Sequence, residues 1–163
     1  MKKVIILSDT HGNQKAVDAL DALFAENDYI VHLGDGFMEA SRLLSKYPNA
    51  TYLCAGNCDY YARLPEEGVL EIESMRIFYC HGHRYGVKSG LKFLAEKAKS
   101  LDCDVALYGH THLAKISELD GVTLINPGTL SYPLGKGGSY CYLVVHKDKA
   151  TPVIVGDGFQ TRS

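Results

Sequence analysis

Apolar residues in the first sixty positions follow two spacings. Short continuous runs at 3–8, 29–33 and 51–55 suit buried strands. Between the first two, Val17, Leu20, Leu23 and Phe24 recur at helical spacing and predict a helix over 13–26. A second helix is expected over 39–47, closed by Pro48. Strand, helix, strand, helix, strand implies a mostly parallel sheet with right-handed crossovers.

The pattern changes after residue 60. Segments 69–72 and 76–80 read as a hairpin pair. A helix over 87–100 carries Leu91, Leu94, Ala95 and Ala98, and a short strand follows at 105–108. Asp120-Gly121, between 115–119 and 122–125, signals a second hairpin. Strands at 140–145 and 152–155 close the chain. Tyr140, Tyr142 and Val144 lie on one face of the former and Cys141, Leu143 and Val145 on the other, so it is expected to be buried on both. Two facing sheets with helices outside satisfy this α/β pattern, and 156–163 reads as a loose tail.

Composition narrows the class. A chain of 163 residues is read as one domain over 1–163. Seventeen Lys and Arg against nineteen Asp and Glu give a net charge of −2, which argues against a generic nucleic-acid binder. Hydrophobic residues at 46% and charged residues at 22% exclude a disordered chain. The longest aliphatic run, 4–7, is too short for a bilayer span or a secretory leader, so a cytoplasmic protein is expected. Cys54, Cys58, Cys80, Cys103 and Cys141 form neither a disulfide framework nor a thiolate zinc pattern. They read as small buried hydrophobes, Cys58 excepted.

The chemistry-bearing residues follow predicted strand ends: Asp9 and His11, then Asp35, then Asn57-Cys58-Asp59, then His81 and His83, then His110 and His112. In an open α/β sheet those ends line one crevice. Turn preference explains Gly, Asp and Asn there, but not histidine at three strand ends. Imidazole with carboxylate and amide suits manganese, iron, nickel or zinc. The ligand count exceeds one tetrahedral zinc, and two ions sharing a carboxylate fit better. His32 and His146, standing alone, read as satisfied polar residues.

The ordered set Asp9-x-His11, Gly34-Asp35, Gly56-Asn57-x-Asp59, His81 and Gly109-His110-x-His112 resembles the calcineurin-like metallophosphoesterase superfamily, over nearly the whole chain. Its length and its Gly-Asn-Cys-Asp variant are similar to the small bacterial and archaeal phosphodiesterase branch. The resemblance implies a four-layer αββα sandwich. It implies one ion on Asp9, His11, Asp35 and His112, and another on Asp35, Asn57, His81 and His110. Asp35 would bridge them together with a hydroxide that attacks phosphorus in line. Manganese is the expected metal, with nickel, iron or zinc as alternatives. Asn126-Pro127-Gly128-Thr129 resembles a loop bordering the site, so Asn126 and Gly128, with Asn57, are expected near the phosphate.

Cys58 departs from the many members that carry histidine there beside an orienting acid, the position Asp59 holds. A thiol lacks the reach of imidazole, which weakens general-acid catalysis and favours diesters over monoesters. His83 is a substitute acid or phosphate contact, or else orients His81. The expected partner is a small phosphoester. Tyr60, Tyr61 and Tyr132 could stack on a base, but packing or a homo-oligomer contact is the plainer reading. Alternatives are a retromer-subunit-like interaction scaffold and a phosphomonoesterase. A nuclease would want a basic stripe that is missing.

Overall fold

The computed structural model describes residues 1–157. The first half runs β1 (Lys2–Leu7), α1 (Gln14–Asp18), α2 (Asp21–Glu26), β2 (Tyr29–His32), α3 (Phe37–Lys46) and β3 (Thr51–Leu53). The second runs β4 (Glu67–Ile72), β5 (Met75–Cys80), a 3-10 turn at His83–Tyr85, α4 (Lys92–Ser100) and β6 (Val105–Leu107). It ends with β7 (Lys115–Leu119), β8 (Val122–Asn126), β9 (Ser139–His146) and β10 (Lys149–Gly156). Two five-stranded sheets result, ordered β10-β9-β1-β2-β3 and β4-β5-β6-β8-β7. Both are mixed: β1, β2 and β3 are mutually parallel, and β9 and β10 add antiparallel.

Alternation along β1 shows how the layers form. Val4 and Ile6 join Val31, Ile77, Val105 and Leu107 in a core between the sheets. Ile5 and Leu7 turn the other way, against Val17, Leu20, Phe24 and Leu43 of the first three helices. Outside the second sheet, Leu94, Ala95 and Ala98 of α4 pack on Phe78, Ala106 and Leu124. This is the expected four-layer αββα sandwich. Strand β9 is apolar on both faces, as read: Cys141 and Leu143 enter the central core, and Tyr140 the outer one. Among the described residues no helix is long and apolar enough to cross a membrane.

Most boundaries shift by one to three residues, and three differences stand out. The helix over 13–26 is two helices, because the chain turns at Ala19 and Leu20 while the apolar stripe continues across the break. The helix over 87–100 starts only at Lys92. Gly90 holds φ +146°, outside any helix, and Val87 still packs into the core from the loop. Gly156, placed in a tail, is the last residue of β10. Of that tail, 158–163 lies outside the described residues. The Asp120-Gly121 hairpin forms as read, with positive φ at both turn residues.

Candidate metal centre

Loops following β1, β2, β3, β5 and β6 bring their polar residues together. Asp9 Oδ1 lies 3.2 Å from His112 Nε2, 3.5 Å from His11 Nε2 and 3.9 Å from His81 Nε2. Asp35 Oδ2 lies 3.2 Å from His81 Nε2 and 3.9 Å from His11 Nε2. Three sets of donor atoms each fall within 4.8 Å: Asp9, His11, His112; Asp35, His81, His110; and His11, Asp35, Cys58.

The backbone is bent to achieve this. Nine non-glycine residues among those described hold positive φ, and five are Asp9, His11, Asp35, His110 and His112. Such conformations cost on the order of 1–3 kcal/mol each and persist only when their surroundings impose them. Here Asp9 N–H donates to Gly34 O at 2.9 Å, and His11 N–H to Asp35 O at 3.0 Å. Thr129 Oγ1 donates to Asp9 O at 2.7 Å. Gly56 permits close approach, since a Cβ there would stand 2.1 Å from Asp35 Oδ1.

Electrostatics tests whether cations fit. His81 Nδ1 is 2.7 Å from the Leu33 carbonyl, which places the proton on Nδ1 and turns the Nε2 lone pair toward the carboxylates. Asp9 Oδ2 accepts from Ser8 Oγ and His110 N–H. Asp9 Oδ1 and His81 Nε2 remain buried without a hydrogen-bond partner. Two lone-pair atoms facing each other in a dry site require positive charge between them, as protons or as metal ions. The pull on protons is plain. Burial opposes the charged form of Asp9, yet the close approach of the His11 and His112 rings and the His81 charge hold its carboxyl well below the usual range. The Asp9 bond pushes His11 up. Burial lowers His81, but Asp35 and Asp9 together carry it upward. Burial followed by the His81 charge holds His110 down to about 4, so its ring is neutral and ligand-competent near pH 7. The donor set is imidazole nitrogen with carboxylate oxygen, which fits divalent ions of borderline softness.

The other predicted residues divide. Cys58 is exposed, and its N–H donates to Asp35 Oδ1 at 2.8 Å. Desolvation and then the Asp35 charge push its thiol up. Asn57 is also exposed, with Nδ2 3.7 Å from Cys58 Sγ. Asp59 is buried, and its carboxylate accepts from the N–H groups of Asp35, Gly36, Phe37 and Gly56 at 2.7–3.2 Å. It ties the loops after β2 and β3 and the start of α3 together instead of facing position 58. His83 has its ring centroid 5.5 Å from His81 and 6.1 Å from His110. It does not orient His81, whose Nδ1 is held by Leu33. Two expectations are corrected. Asn126 is fully buried, donating to Gly109 O and Thr111 Oγ1 and accepting from Gly128 N–H. Neither Asn126 nor the Gly128 N–H is free for phosphate; they brace the loop that carries His110. His32 is a satisfied buried polar residue, as read. Sequence reasoning gave no role to Ser8 or Thr129, both fully buried, because a lone hydroxyl has no spacing to mark it.

The profile of the calcineurin-like phosphoesterase superfamily domain matches residues 1–149. The chain belongs to this superfamily. It is 36% identical over 148 residues to a probable metallophosphoesterase of Mycoplasma pneumoniae, covering 88% of this chain and 89% of that protein. It is 28% identical over 182 residues to the phosphodiesterase YfcE of Escherichia coli, covering 96% and 94%. A solved Streptococcus pneumoniae protein described as a predicted phosphoesterase superposes with TM-score 0.81 at 26% identity, covering 95% of this chain and 89% of that one. Vacuolar protein sorting 29 of Cryptosporidium parvum gives TM-score 0.76 at 19% identity, covering 96% and 98%, a likeness of fold alone. The chain is thus a metallophosphoesterase by family; the family implies divalent metal ions, and the cluster described above offers candidate ligands for them.

Proposed function

We propose that the protein is a dinuclear-metal phosphodiesterase acting on a small phosphoester. The observation that carries this is the buried, unpartnered pair Asp9 Oδ1 and His81 Nε2, with candidate ligands on both sides. Asp9, His11, Asp35 and His112 would hold one ion, and Asp35, Asn57, His81 and His110 the other. When bound, two such ions would supply Lewis acidity toward phosphoryl oxygens and an activated water for hydrolysis of a P–O bond. Manganese suits this mixture of oxygen and nitrogen donors, and nickel, iron and zinc share it.

The chain's own groups do the rest. Asp35 Oδ1 is held by the Cys58 N–H, which leaves Oδ2 turned to His81 and His11. Thr129 and Ser8 fix Asp9 from opposite ends. With its thiol pushed up, Cys58 stays protonated near pH 7, and Asp59 is committed to backbone amides. No imidazole is therefore poised at position 58 to protonate a poor leaving group, which favours diesters with stable leaving groups over monoesters. The name of the E. coli relative supports this reading. Five free thiols suit the reducing cytoplasm, and the chain is read as one domain over 1–163. An interaction scaffold would not need the unpartnered pair.

The test compares metal-stripped and manganese-reloaded protein on bis(p-nitrophenyl) phosphate and p-nitrophenyl phosphate. Close to two ions should bind per chain, turnover should depend on reloading, and kcat/KM should be higher for the diester. Binding of one ion or none, or preference for the monoester, would overturn the reading.

A further inference from the structure

Beside the candidate ligands lies an open cavity of about 230 Å³. His11, Asp35 and Cys58 line it, and so do Phe37, Met38 and Tyr61. The Tyr61 ring stands perpendicular to Phe37 at 5.7 Å and to Tyr60 at 5.6 Å between centroids. Tyr60 is 88% exposed, Tyr61 61% and Met38 58%. An apolar strip of this kind, left open to water against a polar floor, marks a contact surface. It is also anchored. Phe37 N–H donates to Asp59 Oδ1, and Ala62 N–H to Asp59 O at 2.8 Å. The same Asp59 carboxylate holds Asp35 N–H, so the aromatic strip and a candidate metal ligand share one fixed point.

Charge narrows the occupant. Among the described residues no Lys or Arg lines this cavity, so they offer no countercharge to a second phosphate or carboxylate. We infer that Phe37, Tyr60 and Tyr61 form a subsite for a neutral, flat aromatic arm, a nucleoside or aryl group, of the phosphodiester. The assignment rests on the phosphodiesterase reading and adds the class of alcohol. An aromatic arm laid on tyrosine gains stacking that a small alkyl arm cannot.

The test is equilibrium binding to manganese-loaded protein, by calorimetry, of three probes: thymidine 5′-monophosphate, phenyl phosphate and methyl phosphate. All carry one phosphate, so they differ in the arm alone. Wild-type protein should bind the two aromatic probes about fivefold or more tighter than methyl phosphate. Tyr61→Ala should bring them to the methyl phosphate value, and Tyr61→Phe, which keeps the ring, should retain the preference. Thymidine monophosphate exceeding phenyl phosphate marks a nucleoside arm, and equality of the two marks a generic aryl arm; both support the subsite. Equal binding of all three by wild-type protein overturns it, as does a preference that survives Tyr61→Ala. A chain dimer that Tyr61→Ala dissociates, with no preference among probes, assigns the strip to self-association and also overturns it. If methyl phosphate does not bind at all, the phosphoester reading fails first and takes this inference with it.

Discussion

Asp35 and Tyr61 line the same cavity and are held in opposite ways. Asp35 is 4% exposed, its N–H bound by Asp59, its carbonyl by His11 N–H and one carboxylate oxygen by Cys58 N–H. Tyr61 is 61% exposed and touches its neighbours through ring contacts. Candidate ligand positions are thus imposed by many bonds at once, whereas the Tyr61 side chain is held by ring contacts alone on a backbone pinned at Asp59. Ion placement tolerates little error, since each donor must reach a common point. The rim can change without disturbing that point. On the readings proposed, chemistry falls to the many-bonded floor and substrate choice to the exposed aromatic rings beside it.

The largest expected effect tests the floor. Asp35→Asn keeps the shape but weakens a donor shared by two ligand sets. Activity on an aryl diester should fall roughly 10³-fold, and metal analysis should show fewer than two ions. A smaller loss than that of His11→Ala would show that Asp35 does not serve both ions. Next comes the anchor. Asp59→Ala strands four backbone amides, and urea denaturation should show a loss of about 4 kcal/mol. A change under about 1 kcal/mol would mean the loops hold without it.

His32 sharpens the comparison through pH. It is fully buried; its Nδ1 accepts from Gly34 N–H at 3.1 Å, and its Nε2 donates to Thr10 Oγ1 at 3.0 Å. Protonation would destroy the acceptor, and burial accordingly holds its pKa down to about 4. An unfolded histidine titrates near 6.5. Above that pH the ring is neutral in both states. Below it the unfolded chain takes up a proton that the fold refuses, so stability falls as pH drops and this contribution levels off below about 4. The loss should approach about 3 kcal/mol, read as the difference between wild-type and His32→Gln stability curves. Parallel curves from pH 7 to 4 would exclude it.

The smallest effect belongs to the rim. Cys58→Ala should change diester turnover by less than about threefold, because a thiol pushed up by burial and Asp35 is too weak an acid to serve the leaving group. Cys58→His should not rescue monoesters, because Asp59 has no oxygen left to orient a new imidazole. Abolished turnover in Cys58→Ala with both ions bound would give the thiol a direct part.

What was legible in the chain followed from locality. Gly-Asp and Gly-His-Thr-His place candidate ligands directly at strand ends, so short spacings sufficed to mark the cluster that the fold brings together. Layer order followed from alternation in β1 and β9. The break at Ala19 was hidden because Val17 and Leu20 keep helical spacing across it. The roles of Asn126 and Asp59 were hidden for a different reason. An amide or carboxylate can face ligand or backbone equally well, and only the folded loops decide which.

Left-handed backbone at five candidate ligands has an evolutionary consequence. Asparagine and aspartate both tolerate that conformation, so an Asp→Asn exchange at Asp9 or Asp35 keeps the loop shape while removing charge. Binding of ions can then drift away while the sandwich stays intact, and one reversal restores it. A lineage built on this architecture can pass between hydrolysis and a purely structural role in single steps, without rebuilding its core.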